Sequence, residues 1–203
     1  MVTADLNSKF SVAEALKGAH SDFLVTNYWE TATPGVERSQ GTTVADAAKV
    51  TCISHLIYSS LLNASKATNG RLKEVKHFDE KADIEEHIRA SRVPCSFFLP
   101  GYFMANYTFM IHKEGDGSYV LASSFSLIDA AQDTGKWVKA IIKNREKLLE
   151  KRILTTSDFY TSEQIVTESV FVLRAYQWSY RHVSRSLSGK KRRLDIKSFS
   201  TLK

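Results

Sequence analysis

The chain has 203 residues, of which 43% are hydrophobic and 25% charged, a composition typical of a globular protein with one domain or one domain and an appendage. The first ten residues contain no apolar core of signal-peptide length, and no apolar stretch reaches the roughly 18 residues of a membrane span, so neither secretion nor a span is expected. The net charge of +6 is uneven: residues 174–203 carry nine Lys or Arg and one acid, net +8, which leaves −2 for the rest.

Apolar runs and helical patterns alternate through the first half of the chain. In order they are a helix over 11–18, a strand over 23–27, a helix over 42–49, a strand over 55–60, a helix over 77–92 and a strand over 95–101. The first helix is predicted to be capped by Ser11, with Glu14 three residues later, and to end at Gly18. This rhythm predicts right-handed crossovers and an α/β fold with an open parallel sheet and helices on both faces.

A different pattern follows Phe103 and predicts a small C-terminal subdomain. Two strand-like runs, 107–111 and 118–124, flank a turn at 114–117. An amphipathic helix is predicted within 127–144, and then a strand around 152–154. A further helix is predicted to be capped at Thr161 or Ser162.

Cys52 and Cys95 are the two cysteines, and both lie in apolar, strand-like contexts. They do not suggest a disulfide framework and fit a reducing compartment, so a cytoplasmic protein is expected. No group of Cys and His has metal-ligand spacing, and no metal site is predicted.

Polar or small residues follow each of the three predicted strands. They are Thr26 and Asn27, Ser59 and Ser60, and Pro100 and Gly101. Ligands of open parallel sheets bind outside the carboxyl ends of the strands. Strand ends are often polar for other reasons, so the prediction of a ligand site depends on all three lying along one edge.

His77 and Lys81 are spaced so that they share a helix face with Ile84 and Ile88, within about 60° on a helical wheel. One interpretation is that Lys81 extends its ammonium group from the edge of the apolar face and that His77 is a satisfied, half-buried histidine. The other is that the two side chains belong to a binding site, because a lysine on an apolar face is costly unless paired.

The order of motifs resembles the NmrA-like family, atypical relatives of the short-chain dehydrogenases with a Rossmann fold that binds NAD or NADP. The similar segments span roughly residues 1–168, and they are TADLNSKFSVAEALKGAHSDFLVTNYWE, QGTTVADAAK, HLIYSSL, HFDEKADIEEHIR, FFLPGYFMANY and LIDAAQDTGKWVKAI. Residues 169–203 do not resemble the family's continuation. The resemblance therefore implies two regions: a truncated Rossmann domain over 1–168, expected to lack the family's first βαβ unit, and a basic helical tail over 169–203.

The resemblance implies roles for particular residues. Lys81 stands where short-chain dehydrogenases carry the lysine that holds the nicotinamide ribose, and His77 stands where they carry the catalytic tyrosine. Both are therefore candidate catalytic residues. The other implied cofactor-binding residues are Asp5 and Leu6 on the adenine side, Thr26 and Asn27 beside the phosphates and ribose, Ser59 and Ser60 at the catalytic-serine strand, and Pro100, Gly101, Tyr102 and Phe103 beside the nicotinamide.

Three functions follow as hypotheses. The first is a redox- or cofactor-sensing regulator that binds NADP or NAD, acts through a regulatory protein partner and has no dehydrogenase activity, because tyrosine is absent at His77. The second is an NADPH-dependent reductase of the isoflavone-reductase kind, with Lys81 as the acid/base group. The third is a truncated remnant that binds no cofactor.

The chain departs from the family at its amino end and at Cys52. The Gly-rich turn G-A-T-G-x-x-G, which places backbone N–H groups and a helix N-terminus on the pyrophosphate, is absent from the sequence. Weakened cofactor affinity and an exposed sheet edge are therefore expected. Cys52 replaces a family glycine and is expected to cost about 1 kcal/mol if its backbone is left-handed.

The tail has a helical apolar stripe followed by the basic run GKKRR at 189–193. The stripe comprises Val166, Val170, Leu173, Tyr180, Val183 and Leu187. A basic helical tail is predicted, and contact with anionic surfaces or with the nuclear import machinery is one interpretation of its charge. The other is that the tail is simply solvated.

Overall fold

The computed structural model describes residues 2–107, 111–113, 118–121, 126–160, 165, 179–185 and 191–194. The chain divides into two compact units, one comprising Met1–Pro100 with Thr134–Thr155, the other Gly101–Asp133 with Thr156–Lys203. The predicted division at residue 168 stays a prediction. In the described part of the chain, no helix combines the length and the apolar character needed to cross a membrane.

The elements alternate as the sequence predicts. The helices are α1 (Lys9–Leu16), α2 (Val36–Val50), α3 (Ala64–Ala67), α4 (Lys76–Ser91), α5 (Ala130–Lys143) and α6 (Arg145–Leu148), with short 3-10 helices at Tyr28–Glu30 and Met104–Asn106. The strands are β1 (Ser21–Leu24), β2 (His55–Ser59), β3 (Cys95–Pro100), β4 (Tyr102–Phe103), β5 (Ile111–Lys113), β6 (Ser118–Leu121), β7 (Ser126–Ile128), β8 (Arg152–Thr155), β9 (Asp158–Phe159), β10 (Ser179–Arg185) and β11 (Lys191–Leu194).

The first unit is built on a parallel sheet in the order β1-β2-β3-β8. Every residue of β2 is buried, as expected for a strand covered on both faces. The predicted α/β fold with a parallel sheet is therefore confirmed. β1 pairs with β2 and with no other described strand.

Two layers of helix cover this sheet. One face packs against α1, α2 and α4 through a continuous apolar core that includes Val12, Leu24, Val44 and Ile84. Phe23, the neighbour of Leu24, points to the opposite face, where it lies beside α5. The predicted placement of helices on both faces is thus confirmed.

Helices α2 and α4 approach each other closely because residue 41 is glycine. A Cβ atom on Gly41 would lie 2.6 Å from the Cδ1 atom of Ile84, which is fully buried. A second link is the Glu80 carboxylate of α4, which accepts hydrogen bonds from the backbone N–H groups of Gly35 (2.5 Å) and Arg38 (3.2 Å) at the start of α2. Gly35 itself provides no side-chain cap, so Glu80 takes that role for the N–H groups of Gly35 and Arg38.

Helix boundaries differ from the predicted ones in two places. Helix α1 begins at Lys9, and its cap is Ser8, which accepts from the backbone N–H of Ser11; the prediction of Ser11 as the cap was wrong. The Ser11 hydroxyl instead accepts from the backbone N–H of Asp5. Helix α2 begins at Val36, six residues before the predicted start, because its first turn carries polar residues that mask the periodicity.

Both cysteines are free: Cys52 is exposed and Cys95 is buried. Cys52 has a backbone φ of +56°, the left-handed conformation in which the sequence departure was expected to be costly. It lies in the turn after α2 rather than in a strand.

The second unit contains two further sheets. One is ordered β4-β7-β9, and the other β11-β10-β6-β5, in which β5 and β6 form an antiparallel pair. The strand predicted within 118–124 is confirmed at Ser118–Leu121. The strand predicted over 107–111 shares only Ile111 with the observed strand Ile111–Lys113, and Tyr107 lies at the end of a 3-10 helix instead. The predicted turn at 114–117 and the caps at Thr161 and Ser162 lie outside the described residues.

The predicted helical tail is wrong over the part that the structure describes. Residues 179–185 form β10, which runs parallel to β6 and antiparallel to β11 at 191–194. The segment SYRHVSR contains Tyr, Val, Ser and His, which are poor helix formers, although its apolar residues Tyr180 and Val183 are three positions apart, a helical spacing. The pairing with β6 therefore decides its conformation.

His55 at the start of β2 is expected to make the protein acid-sensitive. It is fully buried, and its Nε2 atom lies 2.8 Å from the Ser96 hydroxyl, which donates to the Leu148 carbonyl. Burial, reinforced by the charges of Arg145 and His20, lowers the pKa of His55 from 6.5 to about 4. Between these values the unfolded chain binds a proton that the folded protein excludes, so the free energy of unfolding should fall as the pH drops through this window.

The expected loss between pH 6.5 and pH 4 is about 2–3 kcal/mol from this residue. Denaturant titrations across that range measure it. In the variant His55→Gln, the free energy of unfolding should depend less on pH, even if the variant is less stable than the wild type at neutral pH. The variant His20→Gln, which changes an exposed histidine, should keep most of that dependence. An unchanged slope in His55→Gln would assign the acid sensitivity to other groups.

Candidate functional site

The carboxyl ends of β1, β2 and β3 lie side by side because the three strands are parallel neighbours. Thr26, Ser59 and Pro100 therefore follow or end these strands at one edge of the first unit. Thr26 is buried at 3% exposure, whereas Asn27 is exposed. The Asn27 side chain accepts from the backbone N–H of Trp29 and caps the 3-10 helix that follows.

Lys81 reaches this edge from α4. Its ammonium group donates to the Thr26 carbonyl (2.7 Å) and the Thr26 hydroxyl (2.9 Å), and it forms an ion pair with Glu37 Oε1 at 2.7 Å. The Lys81 side chain is 13% exposed. Since an ammonium group has three protons, these three acceptors account for all of them.

Glu37 is the residue that sequence reasoning missed. It lies in the first turn of α2, its side chain is 1% exposed, and its Oε1 atom also accepts from the Thr26 hydroxyl at 2.6 Å. Its Oε2 atom is buried and has no hydrogen-bond partner in the described structure. In the sequence, Glu37 lies on the same face of α2 as Gly41, Val44 and Ala48, one turn before the regular apolar pattern begins. A carboxylate on that face was the available signal that this residue is buried.

Tyr58 of β2 is the fourth residue of this cluster. Its hydroxyl lies 3.3 Å from that of Thr26, and its ring centroid is 6.0 Å from the Lys81 ammonium. Burial raises the pKa of Tyr58 far above its ordinary value, so this phenol stays protonated. Burial also lowers the pKa of Lys81, and the hydrogen bond and charge of Glu37 oppose that shift.

His77 lies one turn before Lys81, in a group of rings at the mouth of the site. Its imidazole centroid is 5.0 Å from the Trp29 ring, 6.1 Å from Tyr28 and 4.9 Å from Phe78. Burial lowers the pKa of His77, with Glu37 opposing and Lys81 adding to the shift. The structure thus brings Lys81 to Thr26 and places His77 one turn earlier on α4, beside Trp29, which is 67% exposed.

The other predicted residues have different surroundings. Ser60 donates to Glu85 at 2.6 Å, and Glu85 also accepts from Arg89 and Arg152, so this serine belongs to a buried structural network. Ser59 is 8% exposed at the end of β2. Pro100 ends β3 in the first unit.

The remaining predicted residues fall into two groups. Asp5 is exposed and accepts from the backbone and side chain of Asn7, while Leu6 packs against the apolar core. Gly101, Tyr102 and Phe103 belong to the second unit, where β4 pairs with β7. No group of three or more His, Cys, Asp or Glu side chains suitable for a metal ion occurs in the described part of the chain.

A parallel sheet flanked by helices, with polar groups gathered at its carboxyl edge, defines a Rossmann-like protein. A profile of the NmrA-like family matches residues 1–170, and the chain belongs to this family.

Two relatives carry names of different kinds. The nitrogen metabolite repression protein nmr of Neurospora crassa is 26% identical over 67% of this chain and 29% of its own length. The NmrA-like family domain-containing oxidoreductase malD of Malbranchea aurantiaca is 29% identical over 83% of this chain and 56% of its own length. The chain therefore spans well under two thirds of either relative.

Among solved structures, NmrA, a negative transcriptional regulator, superposes with a TM-score of 0.72 at 24% identity, over 88% of this chain and 57% of that one. NmrA has been crystallised with NAD and with NADP. At this identity the likeness establishes the fold.

Proposed function

We propose that this chain binds NAD or NADP at the carboxyl edge of β1 and β2 and acts as a cofactor-sensing regulatory protein. The observation that carries the proposal is the cluster of Lys81, Thr26 and Glu37 at the edge where parallel sheets bind ligands. Its support from relatives is family membership and the NAD and NADP complexes of NmrA.

The residues present fit the ribose and nicotinamide half of a dinucleotide. The orphaned Glu37 Oε2 is an acceptor that a ribose hydroxyl would satisfy, beside the Lys81 ammonium. Asn27 offers an exposed amide at the same strand end. Bound NAD(P) would supply a hydride carrier, and this chain's own residues would orient its ribose.

The hydrogen bonds and ion pair of Lys81 favour a regulatory function over a reductase activity. Its three protons are held by Thr26 and Glu37, so proton transfer to a substrate would break a buried ion pair. His77, which replaces the dehydrogenase tyrosine, is held among aromatic rings. The name of malD supports a reductase as the second candidate, with Lys81 as the acid/base group.

Measurement of NADPH oxidation by the purified chain, with a panel of quinones and enones as substrates, distinguishes the regulatory proposal from the reductase proposal. The regulatory proposal predicts no turnover above the rate without protein. Turnover that is abolished by Lys81→Ala, while the circular dichroism spectrum is retained, would establish the reductase instead.

We also propose that the basic tail contacts anionic surfaces. Because residues 174–203 carry +8 and the rest of the chain −2, attraction to polyanions should reside in the tail and fall with salt. Removal of residues 169–203 is expected to reduce retention on heparin and binding to anionic vesicles. Unchanged heparin retention after the truncation would show that the attraction lies elsewhere.

A further inference from the structure

Four aromatic rings lie together near Lys81 and take no part in its ion pair. Tyr28 and Trp29 come from the 3-10 helix that follows β1, and His77 and Phe78 come from the first turn of α4. The imidazole of His77 is central, with its centroid 4.9 Å from the ring of Phe78, 5.0 Å from that of Trp29 and 6.1 Å from that of Tyr28. We call these four residues the ring cluster.

We propose that Trp29 of the ring cluster stacks on the nicotinamide ring of a bound dinucleotide. This inference rests on the proposed function and adds to it the residue that binds the ring. The resemblance to the family implied residues 100–103 for that contact, and Trp29 was not among the implied residues.

Trp29 is held in place, yet most of its surface is free. Its ring meets that of Tyr28 edge-to-face, at an interplanar angle of 87° and with centroids 5.2 Å apart, and it meets that of His77 at 48°. Its backbone N–H donates to the Asn27 side chain at 3.2 Å. The residue is nevertheless 67% exposed. A ring that is fixed before a ligand arrives loses little conformational entropy on binding, so Trp29 is suited to stacking.

The position of the ring cluster relative to Lys81 suits a nucleoside. His77 lies four residues before Lys81 on α4, which separates the two by about 6 Å along the helix axis. Thr26, which accepts two hydrogen bonds from Lys81, lies three residues before Trp29. Because the base and the ribose of a nucleoside are directly bonded, a ligand with its ribose at Lys81 can place its base against Trp29.

Charge favours nicotinamide over adenine as the stacked ring. Oxidised nicotinamide is a cation, and among aromatic side chains the indole ring attracts cations most strongly, whereas adenine is neutral at pH 7. The charge of Lys81 is compensated by Glu37 at 2.7 Å. Burial lowers the pKa of His77 below its ordinary value of 6.5, so its imidazole is neutral at pH 7 and does not repel a cationic ring.

The fluorescence of Trp29 reports stacking directly. The chain has three tryptophans, and the double variant Trp137→Phe, Trp178→Phe leaves Trp29 as the only one. Oxidised nicotinamide mononucleotide should quench its emission saturably, because a stacked pyridinium ring accepts charge from the excited indole, and AMP should not. The matched variant Trp29→Phe, Trp178→Phe keeps only Trp137 and should show only the linear quenching of random collisions.

Substitution of Trp29 should weaken binding according to the size of the ring that is lost. In Trp29→Leu the stacking is absent, and the affinity for NADP+ in a ligand-observed NMR titration should fall about tenfold or more. Trp29→Phe keeps a smaller ring and should lose less. Phe10→Leu, which changes an exposed ring of α1, is the matched control and should bind as the wild type does. Because both positions are exposed, all three variants should fold normally.

The outcomes separate this inference from the proposed function. Binding of NADP+ that Trp29→Leu leaves unchanged would overturn the stacking role of Trp29 and leave the dinucleotide site in place. Saturable quenching of Trp29 by AMP but not by nicotinamide mononucleotide would assign the stacked ring to adenine, and linear quenching by both would remove the stacking altogether. No binding of NADP+ by the wild-type chain would overturn this inference and the proposed function together.

Discussion

Replacement of Glu37 by glutamine is expected to lower the free energy of unfolding by about 3 kcal/mol, because it leaves the Lys81 ammonium buried without its counter-charge. The Glu37 side chain is 1% exposed and that of Lys81 13%, so water cannot readily replace the lost interaction. The lysine would keep its two bonds to Thr26. Chemical denaturation of the purified variant measures the change.

The double variant Glu37→Gln, Lys81→Met separates the ion pair from packing. Breaking a buried pair on one side is costly, whereas replacing both partners is often nearly neutral. The double variant should therefore recover much of the stability that the single variant loses. If the double variant were less stable than Glu37→Gln by as much as the loss of Lys81 alone costs the wild type, the two side chains would contribute to stability independently.

The second large effect is expected on dinucleotide affinity, when a Gly-rich phosphate-binding turn is added to the chain. A polypeptide of these 203 residues should bind NADP(H) about two to four decades more weakly than the same polypeptide fused to a Gly-rich strand–turn–helix of a family member. The pyrophosphate carries two negative charges, and charge-assisted hydrogen bonds to such a turn contribute about 1.5–3 kcal/mol each. Without two or three of them, on the order of 3–6 kcal/mol is lost.

Calorimetry on the two polypeptides measures this difference. Micromolar binding by the 203 residues alone would mean that another segment replaces the phosphate-binding turn. No binding by either polypeptide would instead favour the remnant hypothesis.

The sheet of the first unit was predictable because its strands are apolar throughout and separated by helices of regular period. HLIYSS and CSFFLP are short, apolar and bounded by polar or Pro/Gly residues, which is the pattern of buried parallel strands. Their order along the chain then predicts adjacent carboxyl ends. The location of Thr26 near Lys81 follows from this topology together with the wheel position of Lys81.

Glu37 was not predictable from local pattern, because its role depends on a contact between two helices. It pairs with a residue 44 positions away, and nothing in the first turn of α2 distinguishes it from an exposed glutamate. Ser60 shows the converse case. Its strand-end position suggested a ligand, but Glu85 on α4 accepts its proton within the core.

The conformation of 179–185 depended on a partner strand far along the chain. β10 pairs with β6, about sixty residues earlier, and no helical-wheel argument reports such a pairing. The helix start at Lys9 was missed for a simpler reason. Ser8 and Ser11 both satisfy the capping pattern, and only the backbone conformation of Ser8 decides between them.

Saturation-transfer NMR of NADP+ with the 203-residue chain tests the central claim most directly. The account predicts saturable binding near the millimolar range, with the largest transfer to the protons of the nicotinamide and its ribose, and competition by nicotinamide mononucleotide. The Glu37→Gln, Lys81→Met variant, which removes the cluster without leaving a buried unpaired charge, should lose this transfer. No transfer to the wild-type chain, or equal transfer to the double variant, would contradict a dinucleotide site at the carboxyl edge of β1 and β2.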